Sequence, residues 1–305
     1  MTDDPFRPFK VEIIAELRRV LEAQAFSHGK IMRYHMGFAD ADENPTSAPS
    51  GSPVHASLCL IVAKAVGGDL TTALPAAETL ELITNFSLVQ DDIEDDRLER
   101  FGRPTLMQTW GMPRAINASD GLYSLAQLTL QRLSQNGVTP ERLLAISLAL
   151  DGASLRLFEG QYLDLDLDGR DEISEDDYLT MVEAKTGTLM GVAAEVGALV
   201  GGASETTAAA FRSFGANLGV AHHIGADYLR TWDGGDAAKA GSRSRRWSYP
   251  LIVAIDSDGV RLATVSIARA YVSQAIEALT SIGLSEEWRD RLTEVAHFLG
   301  GRASI

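Results

Sequence analysis

Apolar residues recur along most of this chain at the spacing of an α-helix. In the first such stretch they define one face and predict a helix over Phe9–Ala25, with apolar positions at Val11, Ile14, Leu17, Val20 and Leu21. The same spacing recurs at Leu122, Leu125, Ala126 and Leu133. Alternation typical of strands is rare, and the one clear case, Tyr162–Asp168, lies within a helical neighbourhood. The pattern predicts an all-α fold, with residues 1–305 forming a single domain.

Capping residues and loop compositions divide the helical pattern. Ser174 with Asp177 three residues later predicts a capping box that begins a helix through Met181. Ser204 is the predicted N-cap of a long helix that continues past Asp227. Loops are expected where Gly, Pro and short polar residues cluster, over Asp40–Pro53, Asp233–Ser244 and Gly169–Asp171.

The composition narrows the class of protein. The formal net charge of −15 argues against sequence-independent nucleic-acid binding, which needs a basic surface. The single cysteine, Cys59, allows no intrachain disulfide and favours a cytoplasmic location. The first residues lack the pattern of a signal peptide, and no stretch has the length and apolar character of a transmembrane segment.

Carboxylates crowd one point of the chain, directly after the apolar helical stretch that ends near Val89. On a helix, Asp91 and Asp95 share a face, and Asp92 lies three residues from Asp95. Like charges this close repel unless a cation joins them, and Mg²⁺ prefers carboxylate and phosphate oxygens. The spacing therefore indicates a magnesium–diphosphate site. An acidic helix end on the surface is the alternative interpretation.

Five segments, which follow one another along the chain, favour the magnesium–diphosphate site over a surface helix end. They are Asp91–Asp95 followed by Gly102-Arg103-Pro104-Thr105, Gly160-Gln161 with Asp164, Lys185-Thr186, Phe214–Gly219, and Arg246–Pro250. Together they resemble the trans-isoprenyl diphosphate synthases over most of the chain. The resemblance implies an isoprenoid-synthase-type helical bundle around a deep apolar cavity, a homodimer, and an allylic prenyl diphosphate bound with Mg²⁺, more than one ion.

The resemblance also implies roles for individual residues. Asp91, Asp92 and Asp95 would be the catalytic metal ligands. The cations and polar partners of the allylic diphosphate would be Arg100, Lys185, Arg246, Thr186 and Gln161. Phe86 and Ser87, one turn before the first aspartate, are compatible with a C15 or C20 substrate and favour C20 slightly.

Two groups of residues depart from the family pattern. Basic residues that would hold isopentenyl diphosphate are replaced by Ser52, His55, Thr84 and Phe101. Each lost charge-assisted contact is worth about 1.5–3 kcal/mol, so useful affinity for isopentenyl diphosphate should be lost.

The second aspartate motif keeps Asp227 as a candidate metal ligand but has Arg230 in place of its last carboxylate. Arg230 would then contact the diphosphate directly; simple decay of this helix is the alternative.

These departures favour a terpene synthase-like enzyme that ionises an allylic diphosphate and cyclises, deprotonates or hydrates the carbocation. Candidate π-surfaces for the cation are Tyr162, Phe86, Trp232 and Tyr228. Three alternatives stay open: a prenyltransferase with another acceptor, an ordinary chain-elongating polyprenyl diphosphate synthase, and a non-catalytic subunit of a heteromeric synthase.

Overall fold

The chain folds into a bundle of α-helices. The computed structural model describes residues 4–24, 26–46, 51–168, 170–232, 247–252 and 257–301. Its α-helices are α1 Arg7–Glu22, α2 Gly29–His35, α3 Val54–Ala65, α4 Leu70–Glu94, α5 Leu106–Trp110, α6 Met112–Leu130, α7 Pro140–Asp168, α8 Glu175–Val182, α9 Thr188–Val200, α10 Glu205–Trp232, α11 Tyr249–Ile252, α12 Ser257–Ala278 and α13 Glu286–Gly300. A π-helical turn, Glu183–Gly187, joins α8 to α9, and 3₁₀ turns follow α6 and α12 at Gln131–Asn136 and Leu279–Ser281. Strands β1 Glu99–Arg100 and β2 Arg103–Pro104 form one short antiparallel hairpin.

The predicted first helix exists, but its buried face was partly misassigned. Residues Phe9, Ile13, Leu17, Val20 and Leu21 of α1 are buried. Val11 is 79% exposed, contrary to its predicted place on the apolar face. Two residues beyond Phe9 rotate a helical side chain about 200°, so Val11 points away from the core.

Both predicted helix starts are confirmed. The Ser174 hydroxyl accepts from the Asp177 backbone N–H at 3.1 Å, and the Asp177 carboxylate accepts from the Ser174 N–H at 3.1 Å, which completes a capping box. Ser204 Oγ accepts from the Thr207 backbone N–H at the start of α10. Tyr162–Asp168 is the last part of α7, not a strand. Of the predicted loops, residues 47–50, 169 and 233–244 lie outside the described residues.

The core lies where α4 and α9 cross the bundle, because these helices carry buried residues on almost every side. Helix α4 packs against α3 and α6, and α9 packs against α3 and α10. Within the described ranges, no helix is both long enough and apolar enough to span a bilayer. Because α4 is buried on almost every side, its last turn, which contains the acidic residues, has a fixed position at one end of the core.

Burial of Glu81 on α4 predicts a measurable pH dependence of stability. Asn85 Nδ2 donates to Glu81 Oε1 at 3.2 Å, and burial raises the pKa of Glu81 to about 7. Because the folded pKa exceeds the unfolded value of 4.5, the contribution to stability is lost as pH rises through this window. We expect Glu81→Gln to flatten the fall in unfolding free energy between pH 5 and 8 by roughly 3 kcal/mol. Urea unfolding across this range checks it, with exposed Glu12→Gln as the control; an unchanged slope would contradict it.

Candidate active site

The end of α4 and the hairpin after it bring the acidic residues and two arginines together. Asp95 forms the C-cap of α4, and Asp96 follows with a left-handed backbone, φ 49°. The chain then turns back through the hairpin, whose turn residues Phe101 and Gly102 have positive φ values of 53° and 71°. Such a turn matches the twist of two short strands and directs Arg100 toward α4.

Ion pairs tie this segment to the carboxylates. Arg100 Nε lies 2.7 Å from Asp92 Oδ1, and Arg97 Nη2 lies 2.9 Å from Asp95 Oδ2. Arg97 Nε also approaches Asp92 Oδ1, at 3.4 Å. Asp92 is 3% exposed, and its burial raises the pKa of the carboxyl to about 6, while Arg100 and Arg97 act to lower it.

Arg100 keeps a donor for another anion. Its Nη2 is buried and has no hydrogen-bond partner in the part of the chain that the structure describes. A buried guanidinium N–H without an acceptor costs free energy, so this atom favours an anionic oxygen beside Asp92.

The π-helical turn supplies the cation on the opposite side of this cluster. Lys185 Nζ lies 2.8 Å from Asp164 Oδ2 on α7 and 3.0 Å from Asp91 Oδ1 on α4. Gln161 Nε2, one turn before Asp164, donates to Asp91 Oδ1 at 3.3 Å. Lys185 therefore connects the acidic end of α4 with α7.

Two glycines allow the backbone contacts that hold the π turn in place. A Cβ on Gly160 of α7 would lie 2.5 Å from the Lys185 backbone nitrogen. A Cβ on Gly219 of α10 would lie 2.5 Å from the Thr186 carbonyl oxygen. Lys185 and Thr186 are thus fixed between two helices at distances that no other residue type permits.

A second polar group lies on the α10 side of the π turn. Thr186 Oγ1 is 2.7 Å from His223 Nδ1, and His223 Nε2 is 3.8 Å from Asp227 Oδ1. Tyr178 of α8 donates its hydroxyl proton to Asp227 Oδ2 at 2.6 Å, and Asp227 is 1% exposed. The surviving aspartate of the second motif therefore contacts Tyr178 and His223, and its role as a metal ligand stays a prediction.

The Tyr178–Asp227 bond gives a testable effect on stability. We expect Tyr178→Phe to lower the unfolding free energy by about 2 kcal/mol, because a buried carboxylate loses a donor. The matched control is Tyr249→Phe, whose hydroxyl donates at 2.9 Å to Glu175, an exposed residue; its cost should stay below about 1 kcal/mol. Chemical unfolding of both variants decides it, and equal costs would contradict the assigned importance of the Asp227 contact.

Three of the positions predicted to have lost isopentenyl diphosphate binding, His55, Thr84 and Phe101, carry uncharged side chains. His55 Nδ1 lies 3.2 Å from Thr84 Oγ1, and burial, followed by the charge of His222, lowers the pKa of His55 to about 3. The Phe101 ring packs on Gly51, where an added Cβ would lie 2.9 Å from it. The imidazole is neutral at pH 7, and an aromatic ring covers the turn before α3.

The donor set fits Mg²⁺ bound together with a diphosphate, but not a preformed cage. No group of three or more His, Cys, Asp or Glu side chains among the described residues is arranged to hold a metal. Instead four carboxylates (Asp91, Asp92, Asp95, Asp164) face three cations (Arg97, Arg100, Lys185). A multiply charged diphosphate can join this cluster only if further positive charge comes with it, and Mg²⁺ is held by one or two carboxylates plus phosphate oxygens.

Most predicted site residues fall into these two clusters. The first contains Asp91, Asp92, Asp95, Arg100, Lys185 and Gln161; the second contains Thr186 and Asp227. Arg246 and the side chain of Arg230 lie outside the described residues, as does the side chain of Trp232. Tyr162 is 64% exposed, so its prediction as a π-surface for a buried cation is wrong.

Sequence reasoning missed Arg97 and Tyr178. Arg97 directly follows the acidic motif, and this was a usable signal. Tyr178 gave none, because it resembles an ordinary buried aromatic residue of α8.

Known proteins resemble this chain in both sequence and fold. The family model for polyprenyl synthetases matches residues 45–269. A geranylgeranyl diphosphate synthase of Mycobacterium tuberculosis is 32% identical over 291 residues, covering 93% of this chain and 79% of that protein. A (2E,6E)-farnesyl diphosphate synthase of Mycobacterium bovis is 29% identical over 311 residues, covering 89% and 85%. The crystal structure of a polyprenyl synthetase from Streptomyces coelicolor superposes with a TM-score of 0.85 at 29% identity, covering 96% of this chain and 97% of the other. The predicted all-α, isoprenoid-synthase-type fold is confirmed.

Proposed function

Because this chain belongs to the polyprenyl synthetase family, we propose that it binds an allylic prenyl diphosphate of C15 or C20 with Mg²⁺ and ionises it. The observation that carries the proposal is the first cluster. There Arg100 presents a buried N–H that has no partner among the described residues, and Lys185 faces Asp91 at the same end of α4. A diphosphate can contact both Arg100 and Lys185 through its several oxygens, and the cations bound with it can contact the carboxylates.

The residues of this cluster have separate tasks in that reaction. Arg100 and Lys185 bind and orient the diphosphate, and Arg97 holds Asp95 until the substrate arrives. Asp91, Asp92 and Asp95 would hold Mg²⁺, which when bound supplies positive charge for the leaving diphosphate. Gln161 orients Asp91. Since C–O cleavage places negative charge on the leaving group, these donors stabilise the transition state more than the ground state.

Prenyl transfer to an acceptor without a diphosphate is the first fate proposed for the carbocation. The relatives are named geranylgeranyl and farnesyl diphosphate synthases, which supports transfer as the reaction type. On the acceptor side, however, the neutral His55, Thr84 and Phe101 offer no positive charge to a second diphosphate.

Loss of a proton or addition of water, as in a terpene synthase, is the second fate. The observation that favours it is the neutral His55 imidazole on the acceptor side, hydrogen-bonded to Thr84. A neutral imidazole can accept a proton but offers no positive charge to a phosphate.

Product analysis separates these reactions. Purified protein is incubated with Mg²⁺ and geranyl, farnesyl or geranylgeranyl diphosphate, with and without isopentenyl diphosphate. Diphosphate release and organic products are then measured. Mg²⁺-dependent release without isopentenyl diphosphate is the expected result. Elongation that requires isopentenyl diphosphate would establish ordinary chain elongation, and no release from any allylic substrate would refute the proposed activity and favour a non-catalytic subunit.

A homodimer is proposed on the basis of an exposed apolar face. Large apolar side chains lie on the outer surfaces of α6 and α7, at Ile116, Leu128, Leu144, Leu148, Leu155 and Tyr162. The spacing of those on α7 places them along one side of the helix, and an exposed apolar stripe of this kind is typical of an interface. Sedimentation of the wild type and of Leu148→Asp tests it: a dimer that dissociates on substitution is expected. Cytoplasmic location stays a prediction.

A further inference from the structure

The hydrogen bonds around His55 determine which of its ring nitrogens carries the proton. Thr84 Oγ1 lies 2.8 Å from the Leu80 carbonyl oxygen, to which it donates its only hydroxyl proton. The same oxygen lies 3.2 Å from His55 Nδ1, where it can therefore only accept. Nδ1 of the neutral ring is thus the protonated nitrogen, and the lone pair is on Nε2.

The surroundings of His55 keep this lone pair available. His55 is half-buried, and burial lowers the pKa of its imidazole to about 3. The charge that acts on it comes from His222 of α10, and this charge further opposes protonation. At pH 7 the ring is neutral, with Nε2 unprotonated.

His55 is held at a defined depth relative to the proposed diphosphate site. Its partner Thr84 precedes Asp91 by seven residues on α4. Seven residues make nearly two full helical turns, so the two residues lie on nearly the same face of the helix. At a rise of 1.5 Å per residue, the two positions are roughly 10 Å apart along the axis. A C15 or C20 prenyl chain whose diphosphate is held at the first cluster is long enough to cover this distance.

The weakly basic His55 imidazole can accept a proton only from a strong acid. A neutral alcohol or phenol is too weak an acid to transfer its proton to such an imidazole, whereas a carbocation is so strong an acid that a weak base suffices. A base with a pKa well above 7 would be protonated at pH 7 and could not accept this proton, whereas the His55 imidazole is free to do so.

We propose that His55 Nε2 accepts the proton whose loss converts the carbocation to an alkene, a step that rests on the ionisation proposed above. The C–H bond next to the cationic carbon breaks, its electron pair becomes the C=C bond, and the proton forms an N–H bond on Nε2. The imidazolium returns the proton to the departing diphosphate or to water. The sum is a prenyl diphosphate converted to an alkene and a protonated diphosphate. Thr84 acts as a positioning residue that fixes the tautomer.

The ratio of alkene to alcohol products, per diphosphate released, tests this step independently of total turnover. We expect His55→Gln to lower the ratio about tenfold or more, since water captures the cation when no base is present. Thr84→Val should shift the ratio in the same direction but less. Lys64→Gln, at an exposed position of α3, should keep the wild-type ratio.

An unaltered ratio in His55→Gln would overturn the role of His55 while leaving the proposed ionisation intact. Failure of the wild type to release diphosphate would remove the ionisation and, with it, this step. A readout without turnover is ¹⁵N NMR of the His55 ring at pH 7. Protonated Nδ1 and unprotonated Nε2 are expected in the wild type, with loss of this preference in Thr84→Val, and a protonated Nε2 would refute the assignment.

Discussion

Asp92→Asn is expected to lower the rate of diphosphate release from an allylic prenyl diphosphate about a thousandfold. Asp92 is 3% exposed and lies between Arg97 and Arg100, so its charge is strongly desolvated and paired with two guanidinium groups. Asparagine has nearly the same shape but lacks the charge that would hold Mg²⁺ and orient Arg100. The loss should appear in kcat, because these contacts strengthen as the leaving group becomes charged.

The control for this variant is Asp96→Asn. Asp96 belongs to the same acidic run, but it is exposed and has a left-handed backbone that asparagine also tolerates. Its turnover should stay within about threefold of the wild type, as expected for an exposed polar substitution. Steady-state release assays on both proteins, with circular dichroism to confirm folding, check the prediction. Wild-type turnover in Asp92→Asn would remove the motif from the mechanism.

Gly160→Ala should lower kcat/KM about a hundredfold, although position 160 contacts no substrate in the proposed reaction. An alanine Cβ would lie 2.5 Å from the Lys185 backbone nitrogen and 2.8 Å from the Ala184 carbonyl carbon. Because these are backbone atoms, α7 and the π turn must move apart, and Lys185 then loses its short contacts with Asp164 and Asp91.

The sign of the stability change makes this prediction informative. In an isolated helix, Gly→Ala stabilises by roughly 1 kcal/mol, so helix propensity alone predicts a more stable protein. We expect Gly160→Ala to be less stable instead. Glu159→Ala, at the neighbouring exposed position, is the control and should change neither activity nor stability appreciably. Urea unfolding and kinetics together test it; a more stable and fully active Gly160→Ala protein would disprove the close contact.

The sequence determined the helical fold because a 3.6-residue periodicity is a local property that each segment carries by itself. It also indicated the diphosphate chemistry, since Asp91, Asp92 and Asp95 are close in sequence and one helical turn brings them together. The capping box at Ser174 is local in the same sense. Val11 shows the limit of this reasoning: the periodicity indicated a helix, but which side faces the core depends on what packs there.

Only the tertiary structure decided what each charged residue contacts. Lys185 and Asp91 are far apart in sequence, and their 3.0 Å contact exists because the fold packs the π turn, which Gly160 lets α7 approach closely, beside the end of α4. The tautomer of His55 likewise depends on Thr84 from another helix. Burial and hydrogen bonding between helices depend on residues that are far apart in the chain, and no local pattern encodes them. The sequence therefore identified the groups that would bind a diphosphate, whereas the fold determined which are already neutralised and which nitrogen can accept a proton.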